Sequence, residues 1–377
     1  MLLRLLNTNL EAITIVDTYK SLIWSERYKE YGDFEIYTPV SSDILANFKQ
    51  DYYLDTKDSD CVMIIEKLKI DTDAEEGNNI TITGRSLESI LERRIIWGTK
   101  TISGNLQNGV KTLLDENIIS PIDPARKIDN FVFEESIDPL ITELTIEAQY
   151  TGDNLYDVIV GICDEHDIGF KVTLNNAGQF VFKLYAGVDR SYEQNVNPYV
   201  VFSPNFENLL NSKYIESKAS LKNVTLVGGE EEDDSYSEVS NNTGGTTVSI
   251  GENTARRYAT VGDATGLDRR ELFTDARDIQ SKPANEPELT DEEYLKKLEQ
   301  RGQEKLAENK SITSFEGEIE STMMFVYGED FFNGDIIQIA NEYGHEARAR
   351  ILEVVINEDE SGTSVRPTFS TITEEGE

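Results

Sequence analysis

The sequence has few of the residues on which covalent cross-links and metal sites depend: two cysteines, two histidines and nine prolines among 377 residues. The two cysteines, Cys61 and Cys163, are too few for a framework of disulfide bonds. Each lies in an apolar segment, CVMII or VGICDEH, where a cysteine usually acts as a small buried hydrophobic residue. His166 and His345 fall in no His-Glu-x-x-His zinc pattern. We expect no cofactor and no metal.

Basic residues are also scarce. The chain has 35 lysines and arginines against 71 aspartates and glutamates, which gives a formal net charge of −36. Proteins that bind nucleic acids use lysine and arginine to replace phosphate counterions, and anionic membranes attract the same residues. The charge therefore argues against specific nucleic-acid binding and against a membrane anchor. It favours solubility, and it also suits a surface along which DNA slides without sticking.

Long apolar runs are absent. The first ten residues, MLLRLLNTNL, contain too short an apolar run for a signal peptide and no cleavage pattern. No segment approaches the run of about 18 apolar residues that a membrane-spanning helix requires. We expect a protein that is made in a cytoplasm and is not exported by a signal of its own.

The motifs of common enzymes are missing, including Gly-x-x-x-x-Gly-Lys and Gly-x-Ser-x-Gly. The strongest catalytic candidate is Cys163 with His166, a thiol and an imidazole on one predicted helix, as in a cysteine peptidase. Cys163 continues an apolar stripe, however, and its neighbours Asp164, Glu165 and Asp167 would raise the pKa of the thiol instead of lowering it. We interpret Cys163 as a core residue, and we predict no catalytic residue.

The many acids allow two further hypotheses. A glycosidase needs two carboxylates across a cleft, but among 71 acids the sequence gives no reason to choose a pair. The run Glu230–Asp234 has the ligand type of a hard cation, but its spacing is not that of an EF-hand loop. Adjacent acids on a strand also point to opposite faces. We interpret the run as a solvated loop tip.

The sequence does contain many short runs rich in β-branched and aromatic residues, separated by turn residues, which predict β strands at both ends of the chain. Residues 1–97 fit strands closed by a helix that begins after Ser86. Residues 98–194 mix strands with amphipathic helices near 106–114 and 155–163. Strands resume at 195–230. The polar segment 231–311 ends in a helix with the capping box Thr290-Asp-Glu-Glu293, which we expect on the surface because its apolar positions are sparse.

The two terminal β segments resemble each other. In WSERYKEYGDFEIYTP the alternation of Phe34, Ile36 and Thr38 with polar residues predicts a half-buried strand, and we interpret the rings of Trp24, Phe34 and their neighbours as packing and subunit contacts. YYLDTKDSDCVMIIEKLKIDTDAEEGNNITITG and DIIQIANEYGHEARARILEVVINEDESGTSVRPTF share one order of strands and acidic turns. The spacings 65–77 and 351–362 differ by a single residue. This predicts two similar β units, one near each end.

Several stretches resemble siphophage tail proteins of the Gp37-like family first named from the phage ReqiPepy6. They are WSERYKEYGDFEIYTP, GRSLESILERRI, YAGVDRSYEQNVNPYVVFSPNFENLLNSKYIES, GLDRRELF and NGDIIQIANEYGHEARARILEVV. The resemblance covers nearly the whole chain apart from most of 230–310, and its most specific parts are YGDFE and GVDRS.

The resemblance implies a baseplate-hub fold that is α+β and mostly β, with two β-barrel domains in pseudo-sixfold relation within a trimeric ring and two smaller peripheral domains. On this sequence the domains would be 1–97 (first barrel), 98–194 (α+β domain), 195–230 with 312–377 (second barrel) and 231–311 (polar inserted domain with the surface helix).

The implied role is structural. The protein would be a tail-tip hub in the virion, assembled in the host bacterial cytoplasm, that joins a sixfold tail tube to a threefold tip while DNA passes through an acidic lumen. The implied partners are two further copies of the chain, the distal tail protein ring, the tape-measure protein C-terminus and a central spike or receptor-binding fibre. Many relatives continue into a receptor-binding or peptidoglycan-cleaving region. This sequence ends just after the second β segment, so we expect no enzyme.

Two other function classes remain open. One is a tail-associated endopeptidase or glycosidase that uses Cys163 or unassigned carboxylates. The other is a carbohydrate-binding adhesin that uses exposed aromatic residues such as Tyr28, Tyr31 and Trp97.

Overall fold

Most of the regular structure is β. The computed structural model describes residues 1–73, 77–231, 238–241, 248–249, 256–283, 288–319, 324–340 and 346–372. In chain order, strands β1 to β23 are Leu3–Leu6, Ala12–Val16, Ser21–Arg27, Asp33–Pro39, Tyr53–Thr56, Met63–Asp73, Gly77–Ser86, Thr99–Asn105, Phe131–Glu134, Thr145–Thr151, Gly169–Leu174, Phe180–Tyr185, Val201–Phe202, Leu209–Ser217, Val224–Glu231, Glu238–Asn241, Val248–Ser249, Arg256–Val261, Glu271–Asp275, Ile312–Ile319, Ile336–Ala340, Glu346–Asp359 and Gly362–Thr371.

Helices are fewer than strands among the described residues. The α-helices α1 to α5 are Ser42–Asn47, Leu106–Leu114, Pro139–Thr142, Leu155–His166 and Asp291–Ala307. Short 3₁₀ helices are Leu87–Arg93, Pro124–Arg126, Pro204–Phe206 and Gly266–Asp268, and Asp115–Ile119 forms a π-helical turn. The helix predicted after Ser86 is therefore a 3₁₀ helix. Within the described ranges, no helix is both long enough and apolar enough to cross a membrane.

The largest sheet has 13 strands, and both ends of the chain contribute to it. Its hydrogen-bonded order is β14-β20-β23-β22-β3-β4-β7-β6-β5-β1-β2, with β21 paired to both β22 and β13. Strand β3 from the N-terminal segment lies antiparallel to β22 from the C-terminal segment. The two terminal β segments therefore form one continuous sheet. No pairing among the described strands closes this sheet on itself.

The large sheet contains the same strand order twice. The first half runs β3-β4-β7-β6-β5 and the second runs β14-β20-β23-β22-β21, with antiparallel neighbours throughout. The similarity of the two terminal β units that the sequence predicted is confirmed.

The two halves also share an irregularity. A register shift lies between Ile65 and Lys67 in the β6–β7 pair and between Ile351 and Glu353 in the β22–β23 pair. Such bulges re-aim a strand and are positioned features of a sheet. They give a fixed point at which the two halves can be aligned residue by residue.

The core of the large sheet is formed by apolar residues from both halves. Trp24 and Phe34 are both buried, in agreement with the interpretation of their rings as packing residues. Their rings lie 6.3 Å apart, and Phe369 of the second half belongs to the same core, as do Phe202 and Phe331. Within the segment 24–39, Arg27 forms an ion pair with Asp33 and Lys29 one with Asp164.

The α+β part of the chain lies between the two halves in sequence. It contains the sheets β11-β12-β9 and β10-β8 together with helices α2 and α4. Asn105 and Asn154 accept hydrogen bonds from backbone amides of the first turns of α2 and α4, as N-caps do. The predicted apolar faces of both helices are buried in a core of their own.

A five-stranded sheet, β17-β16-β18-β15-β19, lies against α5. Helix α5 begins at the predicted capping box, in which Thr290 and Glu293 exchange hydrogen bonds with each other's backbone amides. We expected this helix on the surface, but Tyr294 and Leu298 are completely buried and Arg301 is nearly so. The expectation failed because polar residues of the helix also contact neighbouring elements: Tyr150 of β10 donates a 2.6 Å hydrogen bond to buried Glu304.

Candidate functional site at the joint between the sheet halves

The site at which the two halves of the large sheet meet is the β3–β22 pair, which we call the central joint. Its register places Trp24 opposite Ile356, and both side chains are buried. The indole N–H of Trp24 donates a 3.0 Å hydrogen bond to Glu26. At the end of β3, Arg27 forms ion pairs with Glu353 across the joint. Apolar packing on one face and charge pairing on the other fix the register.

Tyr28 lies directly after β3 and is completely buried. Its backbone N–H donates to the carbonyl of Leu352 at 2.9 Å, which continues the joint by one residue. Its ring fills the space above two glycines. A Cβ atom added at Gly169 or Gly334 would lie 2.3 or 2.4 Å from the ring atom Cε2. Only glycine leaves room for this ring at those positions. The hypothesis that Tyr28 is an exposed sugar-binding aromatic is therefore wrong.

A buried cation completes the joint. The Arg350 guanidinium lies 5.2 Å from the centre of the Tyr28 ring. It donates to Asp167 at 2.9 Å and to the carbonyl of Gly334 at 2.7 Å. Burial disfavours the charge of Asp167, but Arg350 and Lys29 outweigh that effect and lower the pKa of its carboxyl group. The cation–π contact and the ion pair together hold the ring in place.

The joint ties three parts of the chain together. Tyr28 comes from the first half of the sheet, Arg350 and Gly334 from the second, and Asp167 and Gly169 from the α+β part. Asp167 has a left-handed backbone, with φ of 51°, at the C-terminal end of α4. The sequence signals were the glycines of the DIGF and NGDI stretches, but their partner ring could not be identified from sequence because it lies far away in the chain.

Cys163 and His166, the candidate dyad, lie one turn apart on α4. The Cys163 side chain is completely buried in the apolar core, and burial raises the pKa of its thiol. Burial also lowers the pKa of His166, whose Nε2 lies 3.8 Å from Glu165 and accepts no hydrogen bond within the described part of the chain. A nucleophilic cysteine needs an exposed, electropositive setting, and Cys163 has neither property.

The acidic run Glu230–Asp234 is only partly described, since residues 232–234 lie outside the described residues, as does His345. The N–H of Glu230 donates to the Tyr294 hydroxyl at 2.9 Å, and its carboxylate accepts from the N–H of Ser281 at 2.8 Å. Glu230 thus anchors the five-stranded sheet to the α5 segment. Among the residues that the structure covers, no group of three or more acidic, histidine or cysteine side chains could hold a metal ion.

The other two aromatic candidates are partly covered. Arg126 lies 4.2 Å from the centre of the Trp97 ring, and Trp97 is 55% exposed. Arg85 lies 4.7 Å from the Tyr31 ring, which also packs against Tyr156 at 5.0 Å. Each ring already has a guanidinium group on it, so neither offers both faces to a sugar.

A cavity of about 390 Å³ with a mixed polar and apolar lining lies beside the joint. Its walls include Glu26, Glu88, Cys61 and Asn333. Glu88 accepts a 2.8 Å hydrogen bond from the N–H of Val172, and burial raises the pKa of its carboxyl group. The second oxygen of Glu88 and both amide atoms of Asn333 have no hydrogen-bond partner among the described atoms. Such groups are usually satisfied by ordered water.

The sequence profile of the Siphovirus ReqiPepy6 Gp37-like proteins matches residues 2–370, which is nearly the whole chain. The chain belongs to this family. The resemblance inferred from the short motifs is thereby confirmed. No curated protein is similar in sequence to the chain.

Solved structures of tail proteins share the fold. The 43 kDa tail protein of prophage MuSo2 from Shewanella oneidensis is 12% identical, with 98% of each chain covered and a TM-score of 0.57. The prophage tail protein gp18 from Listeria monocytogenes is 11% identical, with a TM-score of 0.53 over 99% of this chain and 95% of that one. A tail protein from Neisseria meningitidis MC58 is 12% identical, with a TM-score of 0.52 over 98% and 95%.

The Gp37-like chain is thus a mostly β protein with the fold of phage and prophage tail proteins. The central joint and the duplicated strand order extend over the part that the family profile covers. Strands β3 and β22 join two similar units of this chain. Cys163 is buried and is not activated as a nucleophile.

Proposed function

We propose that this protein is a structural tail-tip hub of the virion that assembles as a ring of three chains. The observation that carries the proposal is the duplicated strand order, with one half joined to the other by β3 and β22. Each chain supplies two similar units, so three chains supply six. A threefold ring would then offer a sixfold tail tube one equivalent contact per tube subunit.

In this proposal the two sheet halves correspond to the barrel domains in pseudo-sixfold relation, within 1–97 and within 195–230 and 312–377. The segments 98–194 and 231–311 would be peripheral. In this proposal residues 224–231 would also belong to the second peripheral segment, because β15 pairs with β18 and β19.

The proposed partners follow from this position. One face would bind the distal tail protein ring, and the other would bind the tape-measure protein C-terminus and a central spike or receptor-binding fibre. The net charge of −36 suits a lumen that repels DNA phosphates, so DNA would pass without binding. The protein would act by assembly and not by catalysis, and the hub would be put together in the cytoplasm of the host bacterium.

The test is the mass of the purified protein, measured by light scattering over a concentration series with and without the distal tail protein. We expect a species of about three times the 42.5 kDa chain mass, either alone or on the partner ring. A chain that stays monomeric in both conditions would overturn the proposal. In that case, cleavage assays on purified cell walls with the Cys163→Ala variant, and binding assays with Trp97→Ala, would address the two other function classes.

A further inference from the structure

Two of the longer strand edges of the large sheet have no partner strand among the described residues, and the shorter strands β2 and β13 also pair on one side only. Strand β14 stands at the end of the sheet and pairs with β20 alone. Strand β6 pairs with β5 only at its first two residues, so the stretch 67–73 is paired with β7 on one side and with no strand on the other. Open edges of this length invite pairing with another chain.

The second half of the sheet shows which strands pair with the counterpart of this β6 edge. Strand β22 corresponds to β6, and its first part, 346–350, pairs with β21. Its second part, 353–359, pairs with β3 to make the central joint. On the equivalent stretch of β6, 67–73, no strand of the described part of the chain takes the place that β3 has on β22. The strand equivalent to β3 is β14, and β14 is the other open edge.

The register can be transferred because the two bulges align the halves. Lys67 follows the bulge in β6 as Glu353 does in β22, so Ile70 corresponds to Ile356. A second alignment of the two halves comes from rows of residues that lie directly opposite one another across four neighbouring strands. They are Trp24–Phe34–Gly84–Ile65 in the first half and Tyr214–Phe315–Phe369–Ile351 in the second.

We propose that β14 of one copy pairs antiparallel with residues 67–73 of β6 in the next copy, in the register of the central joint. Tyr214 then lies opposite Ile70, because Trp24 lies opposite Ile356. Lys213 lies opposite Asp71. This inference rests on the proposed function, and it names the edges and the residue pairs through which the ring closes.

The side chains at these positions fit the pairing. Ile70 is 52% exposed and Tyr214 is 48% exposed, whereas the equivalent Ile356 and Trp24 are 7% and 0% exposed. A facing copy would bury the exposed parts of the Ile70 and Tyr214 side chains. On the other face of the pair, Asp71, which forms an ion pair with Lys69 of its own chain at 2.8 Å, would lie opposite the cation of Lys213, and opposite charges are the favourable combination for directly opposed residues.

Disulfide trapping tests the register. Cysteines would be introduced as Ile70→Cys in one chain and Tyr214→Cys in another, both carrying Cys61→Ser, and the two chains would be mixed before oxidation. Directly opposite residues bring their Cα atoms within reach of a disulfide, whereas residues two positions apart do not. The matched control is Ile70→Cys mixed with Glu216→Cys, which lies two residues away on the same strand.

We expect a covalent dimer from the Ile70 and Tyr214 mixture and little from the control, both measured on the trimeric species by non-reducing gel. Efficient cross-linking in the control instead would overturn the register. A trimer by light scattering that cross-links in neither mixture would overturn the pairing and leave the hub proposal standing. A chain that stays monomeric even with the distal tail protein would overturn both.

Charge reversal gives a second measurement that needs no covalent bond. Asp71→Lys and Lys213→Asp should each weaken association by roughly two- to five-fold per interface, because the reversal places like charges opposite each other. The double variant should recover most of the loss. Equal additive losses in the double variant would contradict the pairing.

Discussion

Replacing Gly334 with alanine tests whether the Tyr28 ring holds the central joint together. Gly334 has a φ of +94°, and a Cβ atom there would lie 2.4 Å from the Tyr28 ring. An alanine at such a φ costs about 1–2 kcal/mol in backbone strain. Forcing extra volume into a packed core adds about 1–3 kcal/mol. We therefore expect Gly334→Ala to lower the free energy of unfolding by about 2–5 kcal/mol.

A matched control separates the two contributions. Gly77 has a φ of +80°, but a Cβ atom there would meet no atom within 4 Å. Gly77→Ala should therefore cost only the backbone strain, about 1–2 kcal/mol. Tyr28→Ala alone should cost about 3–5 kcal/mol, as for other large aromatic residues in cores. With the ring already removed, Gly334→Ala should cost no more than Gly77→Ala.

The assay is urea unfolding followed by tryptophan fluorescence. The chain has two tryptophans, and with Trp97→Phe the buried Trp24 at the joint becomes the sole reporter. This matters because a chain with several units need not unfold in one step. Equal losses for Gly334→Ala and Gly77→Ala, or a double variant whose losses simply add, would refute the packing of Tyr28 against Gly334.

Three other predictions concern the rest of the chain. Arg301 is almost completely buried and pairs with Asp278 at 3.0 Å. Arg301→Met should therefore lower the free energy of unfolding by about 3–5 kcal/mol. The control Lys296→Met, at an exposed position, should change it by less than about 0.5 kcal/mol. Equal effects in urea titrations would contradict this. Burial raises the pKa of Glu165 from 4.5 to about 8, so the folded state holds that proton longer and stability falls as pH rises through this range. Glu165→Gln should therefore stabilise the protein at pH 9 but not at pH 4, and an equal shift of the unfolding midpoint at both would refute the cause. Cys163 should react with a thiol reagent only after unfolding, and rapid labelling of the native protein, read by mass spectrometry, would contradict its burial.

Local pattern predicted the strands and helices well, because periodicity and capping residues act over a few positions. The β6–β7 and β22–β23 hairpins, the capping box at Thr290 and the burial of Phe34 follow from such signals. The similarity of the two hairpins also pointed to the duplicated order. These features depend on neighbours in sequence, so the sequence displays them directly.

The central joint and the position of α5 could not be predicted in the same way. Tyr28 carries a hydroxyl group and sits among charged residues, so its segment resembled a surface, and the two glycines that make room for it are remote in the chain. The buried face of helix α5 includes Arg301 and Glu304, whose charges are satisfied by ion pairs and hydrogen bonds. The sequence of this helix therefore shows few apolar positions, although much of the helix is buried. In both places a polar side chain is buried because a residue far away in the sequence pairs with it. The pattern of neighbouring residues does not reveal such a partner.

The central joint also determines when part of the sheet can fold during translation. Strand β3 leaves the ribosome early, but its neighbour β22 is made only after hundreds of further residues. Closing so long a loop is slow, and domains otherwise fold in the order in which they are translated. The growing chain therefore carries the exposed edge of β3 until β22 has been made. We expect a prematurely terminated chain to keep that edge uncovered, so that it aggregates or is degraded and a defective subunit is removed before it can enter a tail.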